Sequence, residues 1–339
     1  MAAEHLHGEE AIIQEYLAPL AAGFPGAFGL RDDCAAITPA PGHDIVVKTD
    51  PVAAGIHFFA DDAPEDIGWK ALAVNVSDLA AKAAVPRAYL MALSFPDAPT
   101  RDWMARFAAG LAQAQSTFGM HLIGGDTDRR PGPITISITV FGETPTGRMI
   151  RRGAARPGDH VYVTGTLGAA AMGLALRTSP ERAMAWRITQ AAAEASRARY
   201  LRPQPRLALR DALRAHATAA MDISDGLAKD LGRMSRASGC GAEIELARVP
   251  MDQTGAHAVA HDPDRWCDIV AAGDDYELLI AVAPGSAQAF EAAGLAAGRM
   301  ASPAFGLTRI GAFTRDPAVT FRMASGRPLD LSRTGWDHF

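Results

Sequence analysis

Between Ile134 and Val140 the chain reads Ile-Thr-Ile-Ser-Ile-Thr-Val, apolar at every second residue. A period of two belongs to a strand with one face buried and the other wet or partnered. Any fold of this chain must therefore contain a sheet at this point, and a strand is expected over Ile134–Gly142. Upstream, the pattern predicts an amphipathic helix over Glu9–Ala21, with Ile12, Ile13, Tyr16, Leu17 and Leu20 on one side. A strand over Asp44–Val52, a helix over Glu65–Ala84 and a strand over Arg87–Phe95, stopped by Pro96, come next. A helix over Thr100–Phe118 follows, with Thr100 as its cap and Gly119 as its stop.

The segment Arg151–Asp159, RRGAARPGD, is polar and turn-rich, and it marks a boundary. Beyond it the reading gives strand His160–Thr164, the turn Gly165–Gly168 and a helix, then helices over 180–199 and 204–215. Strand Ala219–Ile223 leads to helix Leu227–Ser238, ended by Gly239. Further strands are expected at Ala242–Val249, Ile269–Ala272, Tyr276–Val282, Leu307–Ala312 and Ala318–Met323. Helices and strands mix through both halves, so the class is α/β (α+β) with two lobes, 1–150 and 151–339. A length of 339 residues suits that division.

Composition narrows the function classes. A net charge of −5 without a basic block removes the footprint of a nucleic-acid or membrane-surface binder. The apolar helix around Ala71–Val85 is interrupted by Asn75, Asp78 and Lys82, so no bilayer span is expected. Cys34, Cys240 and Cys267 are far apart and form no CxxC pair, which points to a reducing, cytoplasmic compartment. Lysine occurs only at 48, 70, 82 and 229, never after glycine, so a Walker A loop is excluded.

Aspartates carry the functional signal. Apolar runs lead into them at Leu30–Asp33, Val47–Asp50, Leu122–Asp126, Met221–Asp225 and Ala272–Asp275. The expectation is five strand ends meeting carboxylates at turns, the place where ligands collect in α/β folds. A dispersed carboxylate set without histidine or cysteine partners suits Mg²⁺, a hard cation that bridges carboxylates to substrate phosphates. Individual positions have plainer readings beside this one. Asp225 before Gly226-Leu227 also reads as a helix cap. Asp78, three residues after Asn75, also reads as the i,i+4 partner of Lys82. His57 beside Phe58-Phe59 reads either as packed structure or as a ligand contact, and Trp336 either as a stacking ring or as an anchor for the tail. Gly124-Gly125 before Asp126, and the turn Gly165–Gly168, offer backbone N–H groups to an anion.

Taken together, these segments resemble the thiamine-monophosphate kinases, of the superfamily that includes aminoimidazole ribonucleotide synthetase. The matching stretches are RDDCAAI (31–37), KTDPVAAGIHF (48–58), WKALAVNVSDLAAKAAVPRAYLMALSFP (69–96) and IGGDTDR (123–129). They continue with RRGAARPGDHVYVTGTLG (151–168), MDISDGLAKDLG (221–232), GDDYELL (273–279) and GWDHF (335–339). The resemblance implies an N-terminal domain that binds ATP and Mg²⁺ and pairs with its twin in a dimeric β-barrel, plus a C-terminal α/β domain. It implies that Asp33, Thr49, Asp50, Asp78, Asp126, Asp222 and Asp225 ligate or orient several Mg²⁺ ions, with Asp126, Asp222 and Asp225 central to catalysis. Gly125, Arg152 and Ser224 would contact ATP, and His57, Asp274 and Trp336 the thiamine monophosphate. Arg31, Lys48 and Asp274 depart from the family's usual glycine, Ser or Thr, and Glu. Lys48 either points away from the metal ligands or replaces one metal's charge.

The implied reaction is direct transfer of the γ-phosphoryl group of ATP to thiamine monophosphate, the last step of thiamine diphosphate biosynthesis, in a cytoplasmic homodimer. A phosphate monoester has a second pKa of about 6 and is mostly ionised at neutral pH. Such an acceptor needs no general base; the obstacle is bringing two anions together.

Overall fold

The computed structural model describes residues 6, 8–331 and 334–336. Two compact units divide the chain: Met1–Leu79 with Ala84–Met149, and Ala80–Ala83 with Ile150–Phe339. In the first unit, β1 (His43–Ala53), β2 (Val85–Phe95), β3 (His121–Arg129) and β4 (Thr135–Pro145) form one sheet in the order β1-β4-β2-β3. β4 runs antiparallel to both β1 and β2, whereas β2 and β3 are parallel. Parallel neighbours need a crossover, and the helix Arg101–Phe118 supplies it. That helix begins and ends where the sequence predicts: the Thr100 hydroxyl accepts from the Trp103 N–H at 3.1 Å, and Gly119 closes the helix in the left-handed region. The period-two run behaves as expected, with Ile136, Ile138 and Val140 fully buried and Ser137 and Thr139 half-buried.

The second unit holds a six-stranded sheet. Its strands are β5 (His160–Thr164), β6 (Ala217–Ile223), β7 (Gly241–Glu245), β8 (Glu277–Val282), β9 (Leu307–Thr314) and β10 (Val319–Arg322), in the order β10-β7-β9-β5-β8-β6. All six residues of β8 are buried, the mark of a strand covered on both faces. Alternation divides its side chains between two cores. Leu279 and Ala281 join Val161, Val163, Met221 and Leu231 on one side. Leu278, Ile280 and Val282 join Tyr162, Leu213 and Phe290 on the other. Ala80, Ala81 and Ala83 belong to that second core, and Lys82 Nζ donates to the Ala220 carbonyl at 2.9 Å.

Several boundaries differ from the sequence expectation, each for a local reason. Ile269–Ala272 is not a strand but lies at the end of a helix, Trp266–Val270. An apolar run this short has no decisive period, and Pro263 with the Asp262 cap starts a helical turn just before it. The helix expected over 180–199 breaks at Arg187, whose φ is 53°, and restarts at Gln190 under a Thr189 cap. The first helix keeps its position but changes pitch, from Glu9–Ile12 through Ile13–Leu17 to Ala18–Ala21, where Pro19 removes a donor. Strand Ala242–Val249 stops at Glu245 and continues as a single helical turn. The helices Gln253–His261 and Ala287–Met300 were not anticipated. No helix among the described residues is long and apolar enough to cross a membrane.

Candidate functional site

In the first unit, strand alternation decides which predicted residues share a face. Lys48 and Asp50 are two apart on β1 and point to the same side; Thr49 points to the other. Thr49 Oγ1 donates to the Ile138 carbonyl at 3.1 Å and accepts from Thr139 Oγ1 at 3.0 Å. The side chains of Thr49 and Asp50 are therefore not brought together, because adjacent strand residues face opposite ways. Asp78 arrives from the helix Pro64–Ala81, and Lys48 Nζ lies between the two carboxylates, 3.0 Å from Asp50 Oδ2 and 2.9 Å from Asp78 Oδ2. Burial pulls the Lys48 pKa down, but Asp78 and then Asp50 outweigh it, so the ammonium's pKa is raised. Asn75, fully buried, clasps the Asp50 peptide from both sides: its Oδ1 accepts the Asp50 N–H at 2.8 Å, and its amide donates to the Asp50 carbonyl at 3.3 Å. Asp78 thus meets Lys48 through space, and the helical neighbour Lys82 bonds to the Ala220 carbonyl.

Asp50 and Asp126 do not sit at strand ends, as the sequence suggested, but inside β1 and β3. The register runs Asp50–Ile138–Met91–Gly125 across the sheet. Three strand spacings separate its ends, about 14 Å. Mg²⁺–oxygen distances are about 2.0–2.1 Å, so one ion cannot join Asp50 and Asp126 of the same chain. Gly125 has φ 155°, and a Cβ there would lie 1.8 Å from the Met91 carbonyl oxygen, so no side chain fits. The exposed Asp126 accepts the N–H of Thr127 at 2.9 Å. Asp33 is exposed in the segment after Leu30. His57 is half-buried, and its Nδ1 accepts the Ala53 N–H at 3.1 Å, which ties the ring to the turn after β1.

The second unit brings its predicted residues other than Arg152 to one turn. Asp222 is buried near the end of β6, opposite Leu278 of β8. The turn beyond it is laced to the loop before β8: Asp274 N–H donates to the Ser224 carbonyl at 2.9 Å, and Tyr276 N–H to the Ile223 carbonyl at 2.8 Å. Asp274 itself adopts φ 70°, and the Tyr276 hydroxyl lies 3.3 Å from its Oδ1. The tail closes on the same turn, with Trp336 N–H donating to the Asp225 carbonyl at 3.0 Å and Lys229 Nζ donating to the Trp336 carbonyl. The backbone of Trp336 anchors the tail, and the residue is 49% exposed. Residues 337–339 of the GWDHF ending lie outside the described residues.

Asp225 is not a helix cap. Gly226 occupies the cap position without a side-chain bond, and the Asp225 carboxylate reaches Arg233 Nη1 at 2.5 Å. The work of ordering the turn falls to Asp230, which sequence reading passed over as a helix residue. Its Oδ2 accepts the N–H groups of Ser224 and Asp225 at 3.0 and 2.9 Å, and its Oδ1 meets Arg233 at 2.8 Å. Burial pushes the Asp230 pKa up to about 6, against the opposing pull of those donors. The signal was the repeat of acids at 222, 225 and 230 around one turn. Arg152 is exposed, and its carbonyl accepts from Ser238 Oγ at 3.3 Å.

Among the described residues, no three His, Cys, Asp or Glu side chains are grouped to hold a metal ion. Carboxylate oxygens are nevertheless the right donors for Mg²⁺, which keeps several waters and is usually held by one or two carboxylates plus substrate phosphates. The donor set fits an ion that arrives with a nucleotide better than one caged by protein alone.

Comparisons agree with this chemistry. Residues 31–144 match the family described as AIR synthase related protein, N-terminal domain, and residues 156–301 its C-terminal domain. A thiamine-monophosphate kinase of Caulobacter vibrioides is 38% identical over 329 residues, 96% of this chain and 89% of the relative. The crystal structure of a thiamine-monophosphate kinase from Stenotrophomonas maltophilia superposes with a TM-score of 0.81 at 34% identity, covering 96% of this chain and all of the other. A structure of AaThiL complexed with AMPPCP and TMP gives a TM-score of 0.74 at 28% identity, covering 93% and 97%.

Proposed function

The chain belongs to the thiamine-monophosphate kinase family of AIR synthase-related proteins, and from that premise we propose that it transfers the γ-phosphoryl group of ATP to thiamine monophosphate, giving thiamine diphosphate and ADP. The observation that carries the reading is the convergence of Asp222, Ser224, Asp225, Asp274 and Trp336 on one laced turn of the second unit. The segments around Asp222, Asp274 and Trp336 reach that turn from three different stretches of chain.

The roles proposed are those that the resemblance implies. Gly125, where no side chain fits, would let the β3 backbone approach phosphate oxygens, and the exposed Asp126 beside it would hold a phosphate-bound cation. Asp222 would serve the same purpose in the second unit, Asp225 only where its carboxylate gives up Arg233, which now meets its Oδ2, and Asp33 is a further exposed oxygen donor in the first. The Thr49 hydroxyl faces away from Asp50, where it donates to the Ile138 carbonyl and accepts from Thr139, so it does not share a cation with the Asp50 carboxylate. Held by these carboxylates together with the nucleotide, Mg²⁺ would supply positive charge against the phosphates. Ser224 and the guanidinium of exposed Arg152 would contact the nucleotide; Asp274, His57 and the half-exposed Trp336 would contact the thiamine moiety. A ring on a cationic heterocycle contributes roughly 0.5–2 kcal/mol. No residue is required as a base, because the acceptor oxygen is already ionised, so transfer is direct.

A homodimer and a cytoplasmic location belong to the same proposal. β1 and β3 are both edges of their sheet, and unpaired edges are templates for pairing with another chain; a twin sheet closing a barrel would cover both. Three free cysteines suit a reducing compartment.

The test is a product assay with ATP, Mg²⁺ and thiamine monophosphate, with the thiamine phosphates resolved by chromatography. Equal amounts of thiamine diphosphate and ADP, abolished by EDTA, are expected. ADP formed without regard to the acceptor, or ATP bound with no diphosphate made, would overturn the reading. Trp336→Ala is expected to raise the KM for thiamine monophosphate several-fold and leave that for ATP unchanged.

A further inference from the structure

We propose that Lys48 takes the place of one divalent cation at the Asp50–Asp78 pair, so that this chain works with a built-in positive charge where a metal ion would otherwise be needed. The inference rests on the reading that metal ions accompany the nucleotide. Two carboxylates facing one space need a cation between them, and here the ammonium is already there, 3.0 and 2.9 Å from their oxygens. The arrangement is built in from two elements, β1 and the helix Pro64–Ala81. Alternation along β1 fixes Lys48 on the side of Asp50. The helix Pro64–Ala81 presents Asp78 opposite. The buried Asn75 pins the Asp50 peptide through both its N–H and its carbonyl.

An ion of charge +2 sharing these oxygens would sit only a few ångströms from the ammonium, about 2 Å from each oxygen that the lysine now holds. Like charges so placed exclude one another. A tethered ammonium differs from a metal ion in two ways that matter for the reaction. It cannot dissociate, so its charge is present at any free Mg²⁺ concentration. It also leaves the pair of carboxylates with a net charge of −1 instead of zero, and it offers a phosphate oxygen one N–H donor in place of open coordination positions. The consequence is a site that uses one metal ion fewer per chain.

Counting ions tests this without turnover. The probe is Mn²⁺, measured by loss of its free electron paramagnetic resonance signal, with the full-length protein alone and then with ATP but no thiamine monophosphate. Lys48→Thr, which restores a small oxygen donor, is expected to bind one Mn²⁺ more per chain than the wild type, and Lys48→Arg to match the wild type. In the unaltered background, Asp78→Asn is expected to lose no ion. Equal counts for wild type and Lys48→Thr, or an ion lost in Asp78→Asn, overturn the proposal; the second variant decides the matter even where the first fails to fold. The product assay stands apart from these counts: a wild type that makes no thiamine diphosphate sinks the proposed activity, whereas unchanged counts beside a working assay sink only the role of Lys48.

Discussion

Glu277 is fully buried, yet it carries a charge, and what surrounds it shows how much that charge matters. Its Oε2 accepts from Arg206 Nε at 2.6 Å and from the Thr164 hydroxyl at 2.7 Å, and its Oε1 from Arg199 at 2.5 Å and from the second arm of Arg206. Burial alone would raise its pKa, but Arg206 and then Arg199 reverse the sign and hold the carboxyl below its ordinary value of 4.5. Glu277→Gln removes the charge and leaves Arg206, only 5% exposed, without its counter-ion. Stranding one partner of a buried pair costs about 3–5 kcal/mol. In a domain of about 150–250 residues each kcal/mol moves the melting temperature by about 2–4 °C, so the second unit should melt roughly 6–20 °C lower. Replacing both partners, Glu277→Leu with Arg206→Met, should cost much less than the single change, since no charge is then stranded. The pH dependence has a fixed sign. A depressed folded-state pKa contributes stability that is complete above pH 4.5 and is lost as pH falls through the depressed value. The difference between wild type and Glu277→Gln should therefore shrink in acid. Calorimetry of the two variants across pH 3–7 is the assay. A double variant no more stable than the single one, or a difference that widens in acid, would refute the reasoning.

Two further changes probe the site. Gly125→Ala puts a methyl group 1.8 Å from the Met91 carbonyl at φ 155°, so β3 must part from β2; ATP affinity measured by calorimetry should fall at least about tenfold, equivalent to about 1.4 kcal/mol. Asp230→Ala leaves the part-buried N–H groups of Ser224 and Asp225 without their acceptor, and each lost bond to this carboxylate costs about 1 kcal/mol. Its turnover should fall about 10–100-fold through misplacement of the turn, while Asp230→Asn, which keeps an acceptor oxygen, should recover most of it.

How much of this was legible in the sequence depended on how local the cause was. Thr100 and Gly119 bound their helix because capping is decided within a few residues. The Ile136–Val140 alternation announced its strand for the same reason. Helix Trp266–Val270 was misread because five residues cannot display a period, and its start is set by Pro263 and Asp262 outside the run. For the candidate site, the motifs marked segments that meet at one turn of the second unit, but the lacing between Ser224 and Asp274 joins residues fifty apart and leaves no local trace. The position of Lys48 shows the limit most clearly. Alternation predicts that it shares a face with Asp50, yet only the arrival of Asp78 from another element turns a neighbouring charge into a bridge.

The four residues Ala80–Ala83 make the division of this chain something other than a cut at a linker. They lie seventy positions before the turn-rich segment that ends the first unit, yet their alanines fill a core with Leu209, Leu213 and Phe290. A gene fragment beginning at Ile150 would encode a second unit with an open slot lined by those side chains, and the Ala220 carbonyl would lose the Lys82 donor. Recombination at the apparent boundary therefore transmits an incomplete fold. The two halves are inherited as one piece, and chimaeras exchanging them should be soluble only when residues 80–83 travel with the half whose core they complete.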